Sequence, residues 1–136
     1  MRTLRVLTFS VVSALMLAWA VPAMAHPAKT SGGMSVKVAA GKPSEFHFTL
    51  SAMSVPTGSV TFSFTDKGAL SHDFFVCSTA SKSDSANSCA GKGTPLTKPG
   101  KSATLVVKFS KAGDYEYLCT VPGHAAAGMK GLLKVT

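Results

Sequence analysis

Beyond residue 5 the chain has no arginine, and beyond residue 19 it has no tryptophan. Lysine therefore carries all the positive charge of the remainder, twelve residues scattered without a run from Lys29 to Lys134 against six acids. Lysine lacks the planar fork that reads phosphates and base edges, and no aromatics interleave with it, which argues against a nucleic-acid partner. The charge balance suits solubility and steering toward an acidic partner surface. There is no Cys-x2-Cys pair and no pair of nearby histidines, which excludes the usual structural zinc sites, and no His-x-His pair of the kind a trinuclear copper cluster needs. No Ser-His-Asp arrangement with a supporting motif is visible either, so the sequence predicts no catalytic residues and no enzyme. A helical stripe of ten or more residues and an internal repeat are also missing.

A second long apolar run is absent too. The single one, Val6 to Ala20, is interrupted only by Thr8, Ser10 and Ser13. At about fifteen residues it is shorter than the roughly twenty that span a bilayer, so no stable membrane insertion is expected. Arg2 and Arg5 precede it and Pro22 and Ala23-Met24-Ala25 close it, the order of a signal peptide over 1–25 cleaved after Ala25. No cysteine stands there to take a lipid. The expected product is a soluble periplasmic or secreted protein in an oxidising compartment. His26 to Gly33 reads as a loose arm, and 34–136 as one domain. His26 would become the free amino terminus, where amine and imidazole can chelate copper, although its place in the arm reads as signal-flanking sequence.

From Met34 onward apolar residues alternate with period two. Phe46, Phe48 and Leu50 share one face, with Glu45, His47 and Thr49 on the opposite, solvated side. Val60, Phe62 and Phe64 follow, then Phe75 within His72 to Cys77, then Ala103, Leu105, Val107 and Phe109. Tyr115, Tyr117 and Cys119 come next, and a last strand runs from about Gly131 to Val135. Gly and Pro punctuate the gaps. The pattern predicts an all-β, Greek-key sandwich of about seven to eight strands, with Ser78 to Lys98 as a surface excursion.

The chemistry is concentrated near the C-terminus, in Cys119-Thr-Val-Pro-Gly-His124-Ala-Ala-Ala-Gly-Met129. A thiolate, an imidazole and a thioether stand at five-residue intervals on one loop between two strands. They supply three of the four ligands of a copper site built from two histidines, a cysteine and a long axial methionine. The fourth, a histidine from another strand end, is expected to be His72.

On these residues the sequence resembles the cupredoxins, small type 1 (blue) copper proteins. The likeness extends from about Ser35 to Thr136 and includes Val60-Thr-Phe, His72-Asp-Phe, Gly113-Asp-Tyr-Glu-Tyr-Leu-Cys119 and the closing Lys130-Gly-Leu-Leu-Lys-Val. The Cys-x4-His-x4-Met spacing is similar to that of rusticyanin and auracyanin and longer than in plastocyanin and amicyanin. The resemblance implies one copper ion on His72, Cys119, His124 and Met129, cycling between Cu(II) and Cu(I) as a monomer shuttles single electrons between a redox donor and acceptor. A periplasmic copper carrier or scavenger is the alternative. It also implies that Tyr115 is a corner tyrosine tied back to nearby backbone, and that His124 forms an electron port framed by Val121, Pro122 and Ala125 to Ala127. Asp73 departs from the pattern, because Asn or Ser often follows the first histidine there. Three cysteines allow three single pairings, and assigning Cys119 to copper leaves a Cys77–Cys89 disulfide.

Overall fold

The computed structural model describes residues 33–136, so the expected leader over 1–25 and His26 lie outside the described residues. Among the described residues nine strands form: β1 Met34–Ala40, β2 Phe48–Leu50, β3 Ser54–Val55, β4 Gly58–Asp66, β5 Phe75–Ala80, β6 Gly91–Gly93, β7 Ser102–Phe109, β8 Gly113–Leu118 and β9 Lys130–Val135. They make two sheets, ordered β2-β1-β4-β7 and β3-β9-β8-β5-β6. β1 runs parallel to β4 and β3 parallel to β9, and the other pairings are antiparallel. This is the all-β sandwich that the alternation predicts, with short β3 and β6 added at the edges of one sheet.

The core forms where the period-two faces meet. Val36, Val38 and Ala40 of β1, Val60, Phe62 and Phe64 of β4, and Leu105, Val107 and Phe109 of β7 are buried against Tyr115 and Tyr117 of β8 and Leu133 and Val135 of β9. Each large apolar side chain removed from water here contributes roughly 1.5–3 kcal/mol. A one-residue slip would turn the whole set outward, so the register is specified, with Phe62 opposite Leu105 and Val60 opposite Val107. The Tyr115 hydroxyl donates to the Lys111 carbonyl at 3.1 Å, the expected corner.

One phase differs from expectation. Alternation pointed Phe75 inward, whereas Phe74 is fully buried and Phe75 only half-buried on the other face. Two adjacent phenylalanines offer either phase, and packing chooses: the Phe74 ring lies 5.3 Å from those of Phe48 and Phe62 and 5.5 Å from that of Tyr117. Phe75 instead packs outward over Gly93, where a Cβ would collide with its ring. Beside it a second cluster gathers Cys77, Leu118, Ala125 and Cys89. The Cys77–Cys89 disulfide is formed and ties the surface excursion to β5.

Candidate metal centre

Two chain segments meet at one end of the sandwich. His72 lies just before β5 and is held by a reciprocal backbone pair with Thr97, His72 N–H to Thr97 carbonyl at 3.0 Å and the reverse at 2.8 Å. Cys119 is the first residue after β8, and the loop it opens returns to β9 through Met129. Cys119 N–H donates to the Met129 carbonyl, and Met129 N–H to the His124 carbonyl, both at 3.0 Å. These bonds close the loop at its base, while Gly123 (φ 85°) and Gly128 (φ 106°) supply the left-handed turns that bend it back.

The result is a convergence of three donors. His72 Nδ1 lies 3.2 Å from His124 Nδ1, and Cys119 Sγ lies 3.5 Å from His124 Nδ1 and 4.0 Å from His72 Nδ1. His72 and Cys119 are fully buried and His124 is 9% exposed. Met129 is fully buried in the same core cluster as Cys119. Buried electron-rich atoms facing one another without a cation are costly. A first-row ion bonded at about 2.0 Å to nitrogen and about 2.3 Å to sulfur brings its donors to separations of this size. A thiolate, two imidazoles and a thioether are a donor set for copper, so the residues present fit the metal.

Proton affinities follow from burial. Desolvation pushes the Cys119 thiol up to about 11, opposed by the backbone amides of Asp73 and Val121. The thiol therefore keeps its proton until a cation displaces it. Desolvation, then the neighbouring His72, lowers the affinity of His124 for a proton, which favours a free ring nitrogen.

Asp73 joins the two segments. Its Oδ1 accepts the Thr120 N–H at 2.6 Å, and its Oδ2 accepts the Thr120 hydroxyl. The carboxylate that departs from the usual Asn or Ser thus faces inward, 7% exposed, and pins the His72 segment to the Cys119 loop.

Sequence reasoning missed Glu45. Alternation grouped it with His47 on the solvated side, and His47 is indeed exposed. Residues 41–47 precede β2 and are not strand, so period two has no authority over them. Glu45 turns back instead: its Oε1 lies 2.9 Å from His72 Nε2, and its carboxylate accepts the N–H groups of Ala69 and Leu70 at 2.8–3.1 Å. Those two amides, with His72, hold the carboxyl down to about 2. Phe46, expected to share a face with Phe48, packs edge-on against His124 with ring centroids 5.0 Å apart. The alanines around His124 also divide: Ala126 and Ala127 are exposed, but Ala125 is buried against Cys77 and Leu118.

The family model of copper-binding proteins of the plastocyanin/azurin family matches residues 34–136. The chain is 33% identical over 84 residues to the copper-resistant cuproprotein CopI of Rubrivivax gelatinosus, covering 56% of this chain and 51% of that protein. It is 44% identical over 43 residues to auracyanin-B of Chloroflexus aurantiacus, covering 32% of this chain and 18% of that protein. The chain thus spans about half the length, or less, of these curated relatives. Its fold is similar to that of rusticyanin from Thiobacillus ferrooxidans, with a TM-score of 0.59 and 25% identity over 75% of this chain and 76% of that one.

Proposed function

The chain belongs to the copper-binding plastocyanin/azurin family of cupredoxins, and from that premise we propose that it relays single electrons between redox proteins through one copper ion held by His72, Cys119, His124 and Met129. Bound copper supplies a one-electron Cu(II)/Cu(I) couple. The residues supply a cage that needs little rearrangement between the two states. His72 is fixed by its backbone pair with Thr97, Cys119 by its bond to Met129, and the two segments by Asp73 and Thr120. That cross-tie is the observation that carries the proposal, because a metal held from two locked segments is retained and not handed on. Burial of Cys119, His72 and Met129 excludes water, while His124 comes closest to the surface, beside exposed Pro122, Ala126 and Ala127. Electrons would enter and leave by its ring, and no substrate is transformed. The scattered lysines would steer acidic faces of donor and acceptor proteins toward the molecule. The leader over 1–25 would export it to the periplasm or beyond, as a monomer whose single domain spans 34–136.

Copper carriage is the second reading, favoured by the likeness to a copper-resistant cuproprotein. The visible spectrum of the oxidised, copper-loaded protein tests the site common to both. An intense thiolate-to-copper band is expected, lost in Cys119→Ser while the β-sheet circular dichroism persists. Full colour in that variant would overturn the site.

A further inference from the structure

We propose that Glu45 is a positioning residue for the copper centre: its carboxylate takes the Nε2–H of His72, leaves Nδ1 bare toward Cys119 and His124, and sets a fixed negative charge behind that imidazole. The inference rests on His72 being a ligand, the reading given above, and adds what directs and tunes it.

Three observations carry it. First, His72 is fully buried and its two ring nitrogens face different partners, Nε2 toward Glu45 Oε1 at 2.9 Å and Nδ1 toward His124 Nδ1 at 3.2 Å. A carboxylate only accepts, so the proton of a neutral ring belongs on Nε2 and the lone pair on Nδ1. Second, Glu45 is itself anchored, for Ala69 N–H and Leu70 N–H donate to the same carboxylate. The residue that orients the ligand is therefore oriented in turn, and its side chain is only 29% exposed. Third, the fold leaves room for the contact at Gly68. A Cβ there would come within 2.7 Å of Glu45 Oε1 and 2.9 Å of His72 Nε2. Gly68 is not among the glycines of positive φ, so space and not backbone conformation calls for the missing side chain.

The physical consequence has a sign. A carboxylate hydrogen-bonded to the far nitrogen makes a ligand imidazole more basic and fixes its ring. Its charge also favours the more positive, oxidised ion, so Glu45 should tighten Cu(II) more than Cu(I) and lower the potential. A carboxylate that merely stapled Ala69 and Leu70 would still act on the ratio of the two affinities through its charge, but would leave the exchange of the His72 ring proton unchanged.

The test uses the full-length copper protein. In the Cu(I) form, proton–nitrogen NMR should find the His72 Nε2–H protected from solvent exchange, and Glu45→Ala should speed that exchange about tenfold or more. Glu45→Gln, which keeps an acceptor and loses the charge, should lower the Cu(II)-to-Cu(I) affinity ratio by about tenfold, within the 10–100-fold range typical of such partners. That corresponds to a rise of about 59 mV. Gly68→Ala should shift both readouts in the same direction. A wild-type Nε2–H that exchanges as fast as a solvent-facing one overturns the proposal even if no variant folds. So does an unchanged affinity ratio in Glu45→Gln, and with the blue band intact that result leaves the electron relay standing. Full colour in His72→Ala would instead remove His72 as a ligand and the proposal with it.

Discussion

Met129 is the residue on which the balance between the two copper states should depend most simply. It is fully buried, its carbonyl closes the loop to Cys119, and its own N–H is bonded to His124, so replacing the side chain leaves the loop backbone tied. A thioether interacts chiefly with Cu(I), whereas an amide oxygen favours Cu(II). Leucine removes a soft donor and dries the site further. The potential should therefore fall in the order Met129→Leu, wild type, Met129→Gln, as voltammetry would show. An equal potential across the three would place the thioether away from the metal. Asp73 acts at the same scale: bonded to Thr120, it puts a carboxylate where the family often has a neutral side chain, at no loss to the tie between segments.

Among the elements, the excursion between β5 and β6 does more than cover the sheet. The disulfide Cys77–Cys89, whose ends are twelve positions apart in sequence, anchors it, and Cys77, Cys89 and Leu118 share a packed cluster with Ala125 of the loop between Cys119 and Met129. From the other side Lys130, next to Met129, reaches the Ser85 and Ala86 carbonyls at 3.2 Å and Asn87 Oδ1 at 3.0 Å. Replacing both cysteines by serine should keep the blue band, whose donors are elsewhere, and cost about 3 kcal/mol on the chain-entropy estimate. For a domain of this size that lowers the Tm by roughly 10 °C or more, readable by thermal denaturation. An unchanged Tm would mean that the excursion is held by Lys130 and packing alone. The same elements explain what could be read in advance. Cys119, His124 and Met129 were legible because one loop carries them at regular spacing, and β4, β7 and β8 because strict alternation has a single phase. Glu45 was not, since it reaches His72 from a turn 27 residues earlier, where no periodicity operates. The phase at Phe74 and Phe75 was also hidden, because only the aromatic cluster across the sandwich distinguishes two adjacent rings.

For the molecule as a whole, relay and carriage make opposite demands on one copper. A relay must keep the metal in both oxidation states behind a closed cage and expose one ring edge to a partner. A carrier must open. The position for probing the exposed edge is Ala126 and not its neighbour, because a charge at Ala125 would be buried against Leu118 and Cys77, whereas Ala126 faces solvent. Ala126→Asp should slow electron self-exchange with little change in potential. The most direct test of the account is the copper content of the protein after repeated reduction and reoxidation in the presence of a chelator of moderate affinity. Close to one copper per chain is expected throughout, with the blue band returning in full at each oxidation. Prompt, reversible loss of copper to the chelator would contradict it and establish carriage.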